Sequence, residues 1–169
     1  MASLIRRLEA VNAVLGRTVA WLALAMVLLQ FAIVILRYVF SVGFIALQES
    51  VWYLHGLLFM LGAGYTLLRD EHVRIDVIYR EASIRYRAWV DLLGVLLLLL
   101  PVCGAILWLS WNYVLNAWRT LEGSTELSGL PLIFLLKTVV LVFAVLLSLQ
   151  GLALALRALR VLTGAGPER

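Results

Sequence analysis

Four long apolar runs, separated by short polar stretches, organise the chain. Residues 19–36 are interrupted only by Gln30, and residues 51–68 contain His55 but no acid or formal base. Residues 89–111 carry Asp91 near their start and Pro101 near their middle; residues 132–156 carry Lys137 and Gln150. At about 1.5 Å per residue, runs of this length approach the ~30 Å of a hydrocarbon core. Strands of a membrane barrel would alternate apolar and polar positions over about half that length. The pattern therefore predicts an all-α membrane protein, one small domain over residues 1–169 with four transmembrane helices. Ahead of the first run, Leu4, Leu8, Val11 and Leu15 recur at helical spacing, with Arg6, Arg7, Glu9 and Asn12 on other faces. This predicts a short amphipathic helix lying in the membrane interface. Between the second and third runs, residues 69–88 alternate charges with Val73, Ile75 and Val77, an interfacial connector too short to be a domain.

Composition closes off the soluble alternative. Hydrophobic residues make up 64% of the chain and charged residues 14%, whereas soluble domains are about half apolar and a quarter charged. Placement of the bases sets an orientation. Eleven arginines fall in the N-terminal segment, the connector and the C-terminal tail, against Arg37, Arg119 and Lys137 on the other side. The positive-inside rule puts both termini in the cytoplasm. The net charge of +4 then belongs to the membrane surface, and no nucleic-acid partner is expected. The first run is too long for a cleaved signal and no small-residue cleavage site follows it, so it is expected to remain as an anchor.

The chemistry of an enzyme is missing. His55 and His72 are 17 residues apart, about 25 Å along a continuous helix, too far to ligate one haem within the chain. Cys103 is the single cysteine, which excludes an intrachain disulfide. The acids nearest the spans, Glu49 and Asp91, sit at helix ends rather than at mid-membrane, where an ion-coupled transporter needs its ionisable group. Pro101 frees the carbonyl of Leu97 and reads as a packing kink. No cofactor is expected. What the spans do hold is small residues at helical spacing, above all Ala144, Ser148, Gly151, Ala155 and Ala158 in the fourth, the face by which membrane helices approach closely. Gln30, Glu49 and Lys137 are the candidate contacts between helices or subunits. Lys137 is expected to pair with Glu49 or with an acid of a partner.

Several strings then carry a resemblance: Arg37-Tyr38-Val39-Phe40, Leu47-Gln48-Glu49, His55-Gly56 through Phe59 to Tyr65, and the motif His72-Val73-Arg74-Ile75-Asp76-Val77. Trp89-Val90-Asp91, Leu100-Pro101, Glu122-Gly123-Ser124, Gly129-Leu130-Pro131 and Lys137-Thr138 extend it. The chain resembles the small membrane subunit of tripartite ATP-independent periplasmic (TRAP) transporters, closest to the mannitol/chloroaromatic-type branch. The resemblance implies a bacterial inner-membrane protein whose partners are membrane lipids, a large membrane subunit and a periplasmic solute-binding protein. In that family the binding protein captures an organic acid, and the large subunit carries the substrate and sodium sites and moves as an elevator. The small subunit braces it and adds docking surface, for which Arg37, Trp118, Arg119, Glu122 and Glu126 are the candidates here. The competing class is an autonomous four-helix transporter working as a dimer, which would need a membrane-embedded carboxylate.

Overall fold

The computed structural model describes residues 2–70 and 82–164. It consists of four helices, α1 (Ala2–Tyr38), α2 (Ile45–Leu68), α3 (Ile84–Thr120) and α4 (Ile133–Leu162). All four are long and apolar enough to cross a membrane, and no strand occurs among the described residues. Each extends beyond its apolar run at one end or both. Backbone hydrogen bonding continues through the charged turns at which hydropathy falls away. The motif residues His72, Arg74 and Asp76, with most of the expected interfacial connector, lie outside the described residues. α3 opens beyond them at the N-cap Ser83, whose hydroxyl accepts from the Tyr86 amide at 3.3 Å.

The separate amphipathic helix expected before the first span is not a separate element. Ala2–Tyr38 is one helix of 37 residues, about 55 Å long. The face of its N-terminal half that packs on the other helices is not the leucine stripe. Leu4 and Val11 are exposed, whereas Ile5, Asn12, Gly16 and Val19 are buried. The leucine stripe lies roughly one residue, or ~100°, round the helix from the face that packs.

α4 is the hub. It packs against α1, α2 and α3, and α1 also lies along α2, while α2 and α3 form no interface with each other among the described residues. The expected small-residue face is where this happens: Ala144 is 0% exposed, Gly151, Ala155 and Ala158 are buried, and Ser148 is half-buried. The Ser148 hydroxyl donates back to the Ala144 carbonyl at 2.7 Å, so it needs no outside partner. Ala88, Leu92 and Val95 of α3 cluster with Ala155 and Ala158. A side chain at Gly151 would come within 2.6 Å of Leu99 Cδ2, so glycine there sets how close α3 can lie.

That contact falls on an irregular stretch of α3. Residues Val95–Leu99 form a π-helical turn, in which the Leu100 amide donates to the Val95 carbonyl. Pro101 has no amide to continue the ladder, and shifting the preceding register by one residue accommodates the gap. The kink expected from Pro101 is thus a wide turn seated against α4.

At the end where the two termini meet, polar groups hold the bundle together. Glu9 of α1 pairs with Arg157 of α4 at 2.6 Å. One turn deeper, Asn12, only 1% exposed, donates its amide to the Leu146 carbonyl and to Gln150 Oε1, both at 3.3 Å. α2 closes the group with a glycine: a Cβ at Gly64 would overlap Asn12 Oδ1 and lie 2.9 Å from its Cγ. The Asn12 side chain could yield only by releasing α4. Gly64→Ala should therefore lower the thermal stability of the detergent-purified protein, overpacking of this kind costing about 1–3 kcal/mol. Asn12→Ala removes the obstacle, so the double variant should melt no lower than Asn12→Ala alone.

Candidate functional site at the loop end

The opposite end, where α1 turns into α2 and α3 into α4, gathers the charged and aromatic residues singled out from the sequence. Its centre is Glu49, in the first turns of α2 and 7% exposed. The carboxylate reaches across to the α3–α4 loop. Oε1 accepts from the Ser124 hydroxyl, and Oε2 accepts from the Leu130 amide at 2.6 Å. Ser124 Oγ accepts in turn from the Glu126 amide at 3.1 Å, and the Ser124 amide donates to the Leu130 carbonyl at 3.0 Å. Gly129 fits because any side chain would overlap Ser124 Oγ and lie 2.7 Å from Glu49 Oε1. A buried carboxylate with two donors is a strong clamp, since hydrogen bonds to charged groups are worth about 1.5–3 kcal/mol each.

The loop is held at both ends as well. Leu121 adopts a left-handed conformation (φ 45°), ending α3, and the Glu122 amide folds back to the Ala117 carbonyl at 2.9 Å. The Glu122 carbonyl then accepts from the Phe134 amide at 3.2 Å. It thus satisfies a free donor of the first turn of α4, whose N-cap residue Leu132 has no side chain to do so.

Lys137 does not meet Glu49, and the expected pairing is corrected here. Its ammonium bonds both carboxylate oxygens of Glu122, at 2.7 and 2.6 Å, and lies 4.0 Å from the centre of the Tyr113 ring. The reason is local. Glu122 follows the end of α3 and lies beside the start of α4, within reach of Lys137, the fifth residue of that helix, while Glu49 is already engaged by the loop backbone. Trp118 joins the same two helices, its indole N–H donating to Thr138 Oγ1 at 2.8 Å and its ring meeting Phe134 edge-on at 4.7 Å.

The candidate residues therefore divide. Trp118 and Glu122 are drawn into the α3–α4 junction, though Trp118 keeps an exposed face. Arg37, Arg119 and Glu126 are exposed, Arg37 in the last turn of α1 and apart from the α3–α4 loop in sequence. Gln30 is exposed on α1. The Asn12–Gln150 and Glu9–Arg157 pairs were not foreseen. Their signal was two carboxamides in helical segments expected to end on the same side. Below the cluster, a laterally open cavity of about 640 Å³ separates α2 from α3, with α4 as its floor; Trp52, His55, Met60, Tyr113 and Lys137 are among its lining residues.

A family model described as tripartite ATP-independent periplasmic transporters, DctQ component, matches residues 26–161. No curated protein and no solved structure gives a significant match. The matched range takes in the Glu49 clamp, the Lys137 pair and the whole α4 packing face.

The pairing scheme is open to a double-mutant cycle on thermal stability. Lys137→Met and Glu122→Gln should couple by roughly 1 kcal/mol, whereas Lys137→Met and Glu49→Gln should add. Glu49→Gln should also speed hydrogen exchange at the Leu130 amide, and Lys137→Met should leave that amide unchanged.

Proposed function

The chain belongs to the DctQ component family of TRAP transporters, and on that footing we propose that it braces the large membrane subunit and offers docking surface to the solute-binding protein. Membership makes it the small membrane subunit of a TRAP transporter, a component of a transporter rather than a member of an enzyme family. The bracing role is carried by one observation: polar groups at both ends of the bundle tie its helices and loop to one another. Asn12 holds Gln150, Glu49 holds the loop and Lys137 holds Glu122. Groups engaged in this way fix geometry, whereas a translocation path needs ionisable groups free to bind and release.

On this reading, the large subunit binds sodium and an organic acid, and this subunit needs no cofactor. Both termini face the cytoplasm of a bacterium, in keeping with the arginine distribution, and the loop end faces the periplasm. The quoted sequence strings favour the mannitol/chloroaromatic-type branch. Arg37, Trp118, Arg119 and Glu126 are available to the binding protein; Glu122, held by Lys137, contributes shape rather than a free charge. The N-terminal turns of α1 reach the cytoplasmic interface.

Reconstituted alone in liposomes with a sodium gradient, the subunit should take up no organic acid; robust uptake would favour the autonomous four-helix transporter instead. Within the full system, Arg119→Glu combined with Glu126→Arg should lower uptake severalfold at limiting binding protein and little at saturation, as expected when rim charges set association rate. Unchanged uptake at both concentrations would remove these two residues from the docking surface.

A further inference from the structure

His55 is the polar group the bundle leaves over. It lies ten residues beyond Ile45, the first residue of α2, about 15 Å down the helix. The apolar run of the helix begins at residue 51, so the imidazole lies inside that run, about 6 Å from its loop end. The imidazole is exposed and stacks on Phe59 one turn along, ring centres 4.5 Å apart, and no hydrogen bond to it forms among the described residues. It lines the cleft left where α2 and α3 fail to meet. On the same stripe of α2, Trp52 is 69% and Phe59 65% exposed, so two large rings flank the imidazole.

An imidazole must carry a proton on one nitrogen and a lone pair on the other, and neither is satisfied by hydrocarbon. An acyl chain entering the cleft would leave both unmet, since it carries neither donor nor acceptor. The occupant needs a hydrogen-bonding group within the apolar run together with apolar bulk, and a transmembrane helix bearing one polar side chain supplies both. The cavity of about 640 Å³ is too small to hold a whole helix but takes several of its side chains, with the backbone running outside between α2 and α3.

We propose that the cleft between α2 and α3 seats a transmembrane helix of the large subunit, one polar side chain of which hydrogen-bonds His55. The inference rests on the reading of this chain as a TRAP small subunit. It also gives Lys137 and Tyr113 a second role. Both line the cleft, and their contact joins its α3 wall to α4, so a helix seated there also meets the loop-end cluster.

The test uses the whole transporter complex, with a tag on this subunit. The photoreactive p-benzoylphenylalanine replaces Trp52 or Met60 in the cleft, and Trp21 on exposed α1 as the control. After irradiation, mass spectrometry should identify adducts between the two cleft positions and the large subunit, with few or none from position 21. Adducts only to lipid or to a second copy of this chain, or none at all while the large subunit still co-purifies, would overturn the seat. Failure of the large subunit to co-purify with the unmodified chain would overturn the TRAP reading itself. In parallel, His55→Leu should reduce recovery of the large subunit about threefold, the size expected of one interhelical hydrogen bond in a membrane. His55→Gln should restore most of it, and the isolated subunit should melt at the same temperature in all three forms. Equal recovery with Leu and Gln would refute the hydrogen bond.

Discussion

Ala144, Gly151, Ala155 and Ala158 strip the side-chain bulk from one face of α4, and the other three helices come to rest on that helix. Inside a bilayer, apolar residues gain little by leaving lipid for one another, so close backbone approach and internal hydrogen bonds must hold helices together. Both operate along α4. The π turn of α3 settles against Gly151, and the carboxamides of Asn12 and Gln150 lock α1 to the end where the termini lie. Without the small face, neither α1 nor α3 could come near enough for these contacts.

The two ends of the bundle are tied by different means that serve one purpose. At the termini, a charged pair and a buried carboxamide pair connect the first and last helices. At the loop end, Glu49 gathers backbone and hydroxyl donors from a segment some eighty residues away, and Lys137 closes the α3–α4 junction through Glu122. Fixing both ends while leaving α2 and α3 apart gives a rigid frame with one open side. A frame of that kind suits a subunit whose work is to hold another in place. Its exposed charges, Arg119 and Glu126, are those the proposed reading offers to a soluble partner.

Helix count, approximate spans and the small face of α4 were legible because they depend on local properties: hydropathy over about twenty residues and spacing of three and four. The pairing of Lys137 was not. Glu49 and Glu122 both lay near the same membrane surface, and only the course of the α3–α4 loop decides which carboxylate reaches the ammonium. The inward face of α1 was not legible either. Periodicity marked the leucine stripe as apolar, but in a membrane protein the apolar side can face lipid while Asn12 turns inward.

By itself, then, the sequence determined that the chain is a four-helix membrane protein with a family signature, because apolar length and short motifs survive without knowledge of neighbours. Tertiary structure alone decided which polar groups satisfy one another and which face stays open. Those outcomes depend on distances between segments far apart in the chain, set by how closely Gly64 and Gly151 let the helices pack. His55 shows the difference: along the sequence it is one imidazole in an apolar run, and its lack of a partner is visible only once α2 and α3 are seen to stand apart.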